Sequence, residues 1–225
     1  MANKFVKVDY DKFNSKTVTR TDPELSLGDA FYLIFRHISM PEGDNLVIDV
    51  ETSHSDWFFL RNGNVILNIN NVENITLTPH ENYSKVTNTF GYTSCKESCW
   101  YAISQEQLKK ICDADSVDIK ITGDKSFYVF EGDKSQILII YTYKTKDSFE
   151  HSRSKKVNFS IMQYAQLMYN ACFDNEAYLN SLNEMERASE RATQEMQKEV
   201  KEVKSSGGCI VTILMAIGLL LSLVI

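Results

Sequence analysis

The sequence predicts an α+β fold: an antiparallel, β-rich domain, built as a sandwich or a strongly curved sheet. A short helix and a covering C-terminal helix complete it, followed by a helical stalk and one transmembrane helix. Three observations predict this. Short apolar runs, several of them alternating with polar residues, recur between Phe5 and Tyr143, the signature of strands with one wet face. Two stretches further on carry apolar residues at steps of three and four, the period of a helix. The last nineteen residues, GGCIVTILMAIGLLLSLVI, contain no charged side chain at all. With 225 residues, 43% of them hydrophobic and 24% charged, the chain is long enough for one good core plus appendages.

Taken in order, Phe5, Val6 and Val8 open a short strand, and Phe31–Phe35 form a longer one with two apolar faces. Pro41–Asn45 reads as a turn. Leu46, Ile48 and Val50 then alternate with Asp49 and Glu51, as in a half-buried strand. Trp57–Leu60 and Val65–Ile69 flank Asn62-Gly63, a pair suited to the positive φ of a type I′ turn, so a hairpin is expected there. Val72–Thr78 adds a strand that Pro79 ends, and His80–Ser98 reads as a long loop or ragged edge hairpin. Trp100–Ile103 leads into a helix over 105–114, opened by the capping box of Ser104 and Gln107 and buried through Leu108, Ile111 and Cys112. Val117, Ile119 and Ile121, then Phe127 and Val129, then Ile137–Tyr143 continue the sheet.

Lys144–Lys156 reads as a charged, solvated connection, with a basic content that could touch lipid or anions. Phe159–Phe173 is a helix whose stripe of Ile161, Tyr164, Ala165, Met168 and Cys172 covers an open face of the sheet. The expected organisation is a β-rich domain over 1–156, its covering helix over 157–174, a stalk over 175–206 and an anchor over 207–225. In the stalk, Leu182, Met185, Ala188, Ala192, Met196, Val200 and Val203 form a stripe that could pair with another helix as a coiled coil.

The segment from Ile103 to Gly123, with its short helix, small residue and V-x-I-x-I-x-G strand, resembles a strand–helix–strand unit in uncharacterised bacterial α+β proteins. The Trp57–Arg61 hairpin is similar to one in the same group. The resemblance covers about Leu46 to Phe173 and implies a fold, not an activity.

The terminal stretch has the length of a membrane span, since nineteen helical residues rise roughly 28 Å. Gly207, Gly208, Cys209, Ile210, Leu214, Gly218, Leu221 and Ile225 mark it. The start of the chain lacks a signal peptide's apolar run, and Lys198, Lys201 and Lys204 precede the span. A tail anchor with the N-terminal domain in the cytoplasm is therefore expected, in contact with the lipid bilayer and a protein partner. Gly208, Thr212 and Ala216 share one face of the span at four-residue steps, so a homodimer through them is a further expectation.

A net charge of −6 excludes nucleic acid as a partner class. Five cysteines and four histidines show neither paired zinc-ligand spacing nor a secreted disulfide pattern, so no metal and no cofactor is expected. No phosphate-binding loop, nucleophile elbow or dinucleotide fingerprint is present. The leading expectation is a tail-anchored binding module at a membrane surface. The alternatives are a self-associating membrane scaffold and an enzyme assembled around Cys95, Cys99 and His80.

Overall fold

The computed structural model describes residues 5–89, 92–124, 126–144 and 150–205. By its contacts the chain forms two compact units. The first comprises residues 5–138 and 156–186; the second comprises 139–155 together with the long C-terminal helix from Arg187 on.

In the first unit, β1 (Val6–Asp11), β2 (Lys16–Thr21), β3 (Leu25–Leu27), β4 (Phe31–Met40) and β5 (Gly43–His54) are followed by a 3₁₀ turn at Leu60–Asn62. Then come β6 (Val65–Ile69), β7 (Glu73–Leu77), β8 (Pro79–Thr89), β9 (Tyr92–Ala102), α1 (Gln105–Cys112), β10 (Val117–Thr122) and β11 (Phe127–Glu131). β12 (Gln136–Lys144) starts in this unit, and β13 (Glu150–Asn158), α2 (Ile161–Phe173) and α3 (Asn175–Ser205) complete the chain.

β4 organises the larger sheet. β5 pairs with it from Met40↔Gly43 to Phe31↔Thr52, β9 pairs with β5, and β8 with β9, all antiparallel. The other edge of β4 is shared: β3 pairs with its first residues and β2 with its later ones. Pro23, which has no N–H to donate, lies between the two. There the buried hydroxyl of Thr21 stands in for the missing ladder and accepts the Phe35 N–H at 3.1 Å. β1 extends the sheet beyond β2, and Gln136 and Ile137 of β12 pair with β3. A second antiparallel sheet has the order β11-β10-β6-β7.

Strand alternation sorts the larger sheet into two faces. Phe31, Leu33, Phe35, Ile48, Val50, Cys99 and Tyr101 share the inner face and are buried. Phe31 meets Phe58 and the Tyr128 and Phe130 rings of the second sheet at 5.0–5.5 Å. Val117, Ile119 and Ile121 of β10 are buried, as their period-two spacing predicts.

Both short helices open with a capping box. Ser104 and Gln107 exchange side-chain and backbone bonds at α1, and Ser160 and Gln163 do so at α2. α2 buries Ile161, Tyr164, Ala165 and Met168, covering the sheet as expected, and the Tyr164 hydroxyl donates to the Pro23 carbonyl. Ser160→Ala removes one acceptor from the first turn of α2 and should lower stability by about 1 kcal/mol in a urea titration.

Several expectations are corrected. The Asn62-Gly63 hairpin does not form: Trp57–Phe59 is not a strand, Phe59 has φ 60°, and residues 60–62 make the 3₁₀ turn. The tight turn falls instead at Asn70-Asn71, with φ 52° and 57°, where the Val72 N–H donates to the Ile69 carbonyl between β6 and β7. Of the two readings of His80–Ser98, the edge hairpin is the one found: its described residues form the antiparallel β8–β9 pair, with β8 at the end of the sheet. The connection over 144–156 is strand β13 from Glu150 on.

Among the described residues no helix is long and apolar enough to cross a membrane. The tail-anchored, single-pass reading, with its transmembrane helix and membrane localisation, is corrected accordingly. The expected span, including Gly207, Gly208, Cys209, Ile210, Leu214, Gly218, Leu221 and Ile225, lies outside the described residues. So do the expected self-association positions Gly208, Thr212 and Ala216. The coiled-coil stalk is corrected on a positive finding. In the second unit Ser189, Ala192, Met196 and Val200 of α3 are already buried within the chain. Arg153 and Lys155 of β13 ion-pair with Glu199 and Glu195 of α3, which gives part of the basic run a partner within the chain.

Candidate functional site

The cysteine–histidine constellation read from the sequence does not assemble. Cys95 and Cys99 lie four residues apart on β9, which separates their Cα atoms by about 13 Å, too far for a disulfide or a shared metal. Both are buried, while His80 is exposed at a β8 irregularity between Pro79 and Glu81. Burial pushes the Cys99 thiol up to about 11, and those of Cys112 and Cys172 to about 12, so none is a ready thiolate at neutral pH. The histidine that register sets opposite Cys95 is His54. Its ring packs among Phe31, Phe58 and Tyr128, and its buried Nε2 has no hydrogen-bond partner among the described residues. Among the described residues no group of three or more His, Cys, Asp or Glu side chains could hold a metal ion.

The site the structure does assemble is on the outer face of the larger sheet. Register aligns Tyr32 of β4 with Glu51 of β5, and Glu51 with Ser98 of β9; one pair along, Ile34 aligns with Asp49 and Asp49 with Trp100. Alternation then puts Tyr32, Arg36, Asp49, Glu51, Lys96, Ser98 and Trp100 on one face.

Asp49 is the floor of this face and is 1% exposed. Nε and Nη2 of Arg36 both donate to Asp49 Oδ2, at 2.9 and 2.6 Å, and the Ser98 hydroxyl donates to Oδ1 at 2.7 Å. The guanidinium lies 5.7 Å from the centre of the Trp100 ring. A buried carboxylate with both oxygens occupied and a committed arginine form a fixed platform.

Above it opens a half-enclosed recess of about 570 Å³, lined by Glu24, Tyr32, Glu51, Lys96, Ser98 and Leu138 among others. Its chemistry centres on Glu51. The Arg36 guanidinium reaches Glu51 only at 3.9 Å, because its stronger contacts go to Asp49. Burial first, and then the charges of Asp49 and Glu24, raise the Glu51 carboxyl above its ordinary value of 4.5, against the opposing pull of Arg36 and Lys96. Two carboxylates, one lysine, hydroxyls and an apolar wall make a surface able to hold a polar ligand in a set orientation.

Sequence reasoning missed these residues. Asp49 and Glu51 were visible as the polar half of an alternating strand, but only the register of β4, β5 and β9 brings Tyr32, Lys96 and Ser98 beside them. Protein-family models, curated proteins and solved structures were all compared with this chain, and none matches it.

Proposed function

We propose that the first unit is a ligand-binding domain whose outer-face recess takes a cationic group, an amine or a guanidinium, beside Glu51 and Glu24. One observation carries this reading. Glu51 sits in a recess where burial, and then the charges of Asp49 and Glu24, oppose its ionisation, and the nearest guanidinium is already committed to Asp49. A bound cation would supply the missing counter-charge, while Tyr32 and Ser98 offer hydroxyls to the rest of the ligand.

Titration calorimetry with spermidine and with arginine amide tests it, with glutarate as the anionic control. The amines should bind and glutarate should not, and Glu51→Gln should weaken the amines about tenfold. Affinity should fall as the solution is acidified, because protonated Glu51 no longer attracts a cation. Heats indistinguishable from dilution for both amines would refute the assignment.

The same raised pKa makes a stability prediction. A carboxyl whose folded value lies above its unfolded value opposes folding at higher pH, where it is ionised in both states. The penalty is removed as the pH falls through the raised folded value and is gone below 4.5, the ordinary value. Glu51→Gln should therefore unfold at higher urea than the parent at pH 7. That advantage should shrink as both are taken to pH 4, and an equal gap at the two pH values would contradict it.

A further inference from the structure

β1 is an edge strand, paired among the described residues only with β2. Its outer positions are open to solvent beyond Val6, which is 3% exposed: Val8 is 64% and Tyr10 66% exposed. The direction of its backbone groups follows from one bond. The Asp22 N–H donates to the Phe5 carbonyl at 2.9 Å, and the register continues unbroken from Val6↔Thr21 to Asp11↔Lys16. In an antiparallel ladder alternate residues bond to the partner strand. Phe5, Lys7 and Asp9 therefore face β2, and the N–H and C=O groups of Val6, Val8 and Tyr10 point to the open edge.

We infer that this edge pairs with the β1 edge of a second copy, antiparallel about a two-fold axis at Val8. Residues with free backbone groups must meet each other, so Val6, Val8 and Tyr10 can pair only with Val6, Val8 and Tyr10 of the second copy. Three central registers satisfy that. Setting Val6 against Val8 puts Lys7 against Lys7. Setting Val8 against Tyr10 puts Asp9 against Asp9. Setting Val8 against Val8 puts Lys7 against Asp9 twice, with Val6 against Tyr10 on the other face. Like charges directly opposite destabilise a strand pair, whereas opposite charges and aromatic–β-branched pairs stabilise it. One register is thus favoured and its two neighbours are penalised.

The seam also extends contacts already present. Lys7 lies 2.8 Å from Asp22, and Arg20 lies 3.8 Å from Asp9. Across the two-fold axis these would join in a row of alternating sign: Arg20, Asp9, then Lys7 and Asp22 of the second copy. A six-residue edge is a small interface, so the dimer should be weak and concentration-dependent.

Sedimentation of the full chain over a range of concentrations, at low salt, tests the inference. Val8→Pro removes an N–H that points away from β2, a substitution an edge strand accepts, and should return the chain to monomer with its circular dichroism unchanged. Asp9→Lys sets Lys7 against lysine and Lys7→Asp sets aspartate against Asp9, so each alone should weaken the dimer roughly tenfold. An equimolar mixture of those two variants faces opposite charges at every pair, and should associate more tightly than either variant alone. A parent chain that is monomeric throughout overturns the proposal. So does a dimer indifferent to Val8→Pro, or a mixture no tighter than its components.

Discussion

Glu97→Ala is expected to cost the fold about 4 kcal/mol, the largest single loss we anticipate. Glu97 is 6% exposed and its side chain lies on the inner face of β9, opposite the face that carries Glu51 and Ser98. Its Oε1 accepts the N–H groups of Phe58 and Phe59 at 2.6 and 3.0 Å, and its Oε2 accepts that of Leu60 at 2.9 Å. Three successive backbone donors converge because Phe59 adopts φ 60°, which folds the chain into an anion-binding concavity at the start of the 3₁₀ turn. Alanine would leave all three donors without an acceptor in a buried place, and water can reach few of them. Glu97→Gln keeps one acceptor oxygen but turns an amide NH₂ toward a donor, so roughly half the loss should remain. Urea unfolding at pH 7 measures both, and formate should restore part of the alanine variant's stability by entering the same concavity. A loss of less than about 1 kcal/mol would mean that the turn does not depend on this carboxylate.

Glu97 also shows where the sequence stops being legible. Elements whose cause is local were readable. The Ser104 and Gln107 capping box, the Val117, Ile119, Ile121 alternation and the α2 stripe all appear where their spacing puts them. Features set by strand register were not. Nothing between Asn62 and Gly63 reveals that a glutamate some 35 residues later caps the preceding turn, so the local hairpin signal was misleading. Asn70-Asn71 offered the same conformational freedom without glycine and was overlooked, although asparagine tolerates left-handed backbone better than most residues. The α3 stripe had the right period, but period alone does not say whether a partner helix or the chain's own strands will cover it. The recess is the extreme case: Tyr32, Glu51 and Ser98 come from three strands, and each looks like an ordinary solvent-facing residue until β4, β5 and β9 are laid side by side.

Gly63→Ala should destabilise the first unit by about 3 kcal/mol, for a reason unrelated to glycine's freedom at positive φ. Gly63 has φ −111°, which any residue can adopt. The obstacle is space: a Cβ built there would lie 1.8 Å from the Thr122 carbonyl oxygen and 2.8 Å from the Thr122 hydroxyl. The first of these atoms is backbone and cannot rotate away, so the turn and the end of β10 would have to separate. That separation would break the bonds fastening them together. The Asn64 N–H donates to the Thr122 hydroxyl at 2.7 Å, and the Thr122 N–H donates to the Asn64 carbonyl at 2.9 Å. It would also pull on the backbone donors that Glu97 holds at the other end of the same turn. Because the two sites share one rigid segment, their losses should not add. A double-mutant cycle of Gly63→Ala with Glu97→Ala should give a total smaller than the sum by about 1 kcal/mol or more, since a turn already released by one change has less left to lose to the other. Strict additivity would show instead that the glycine contact and the carboxylate act on independent parts of the loop.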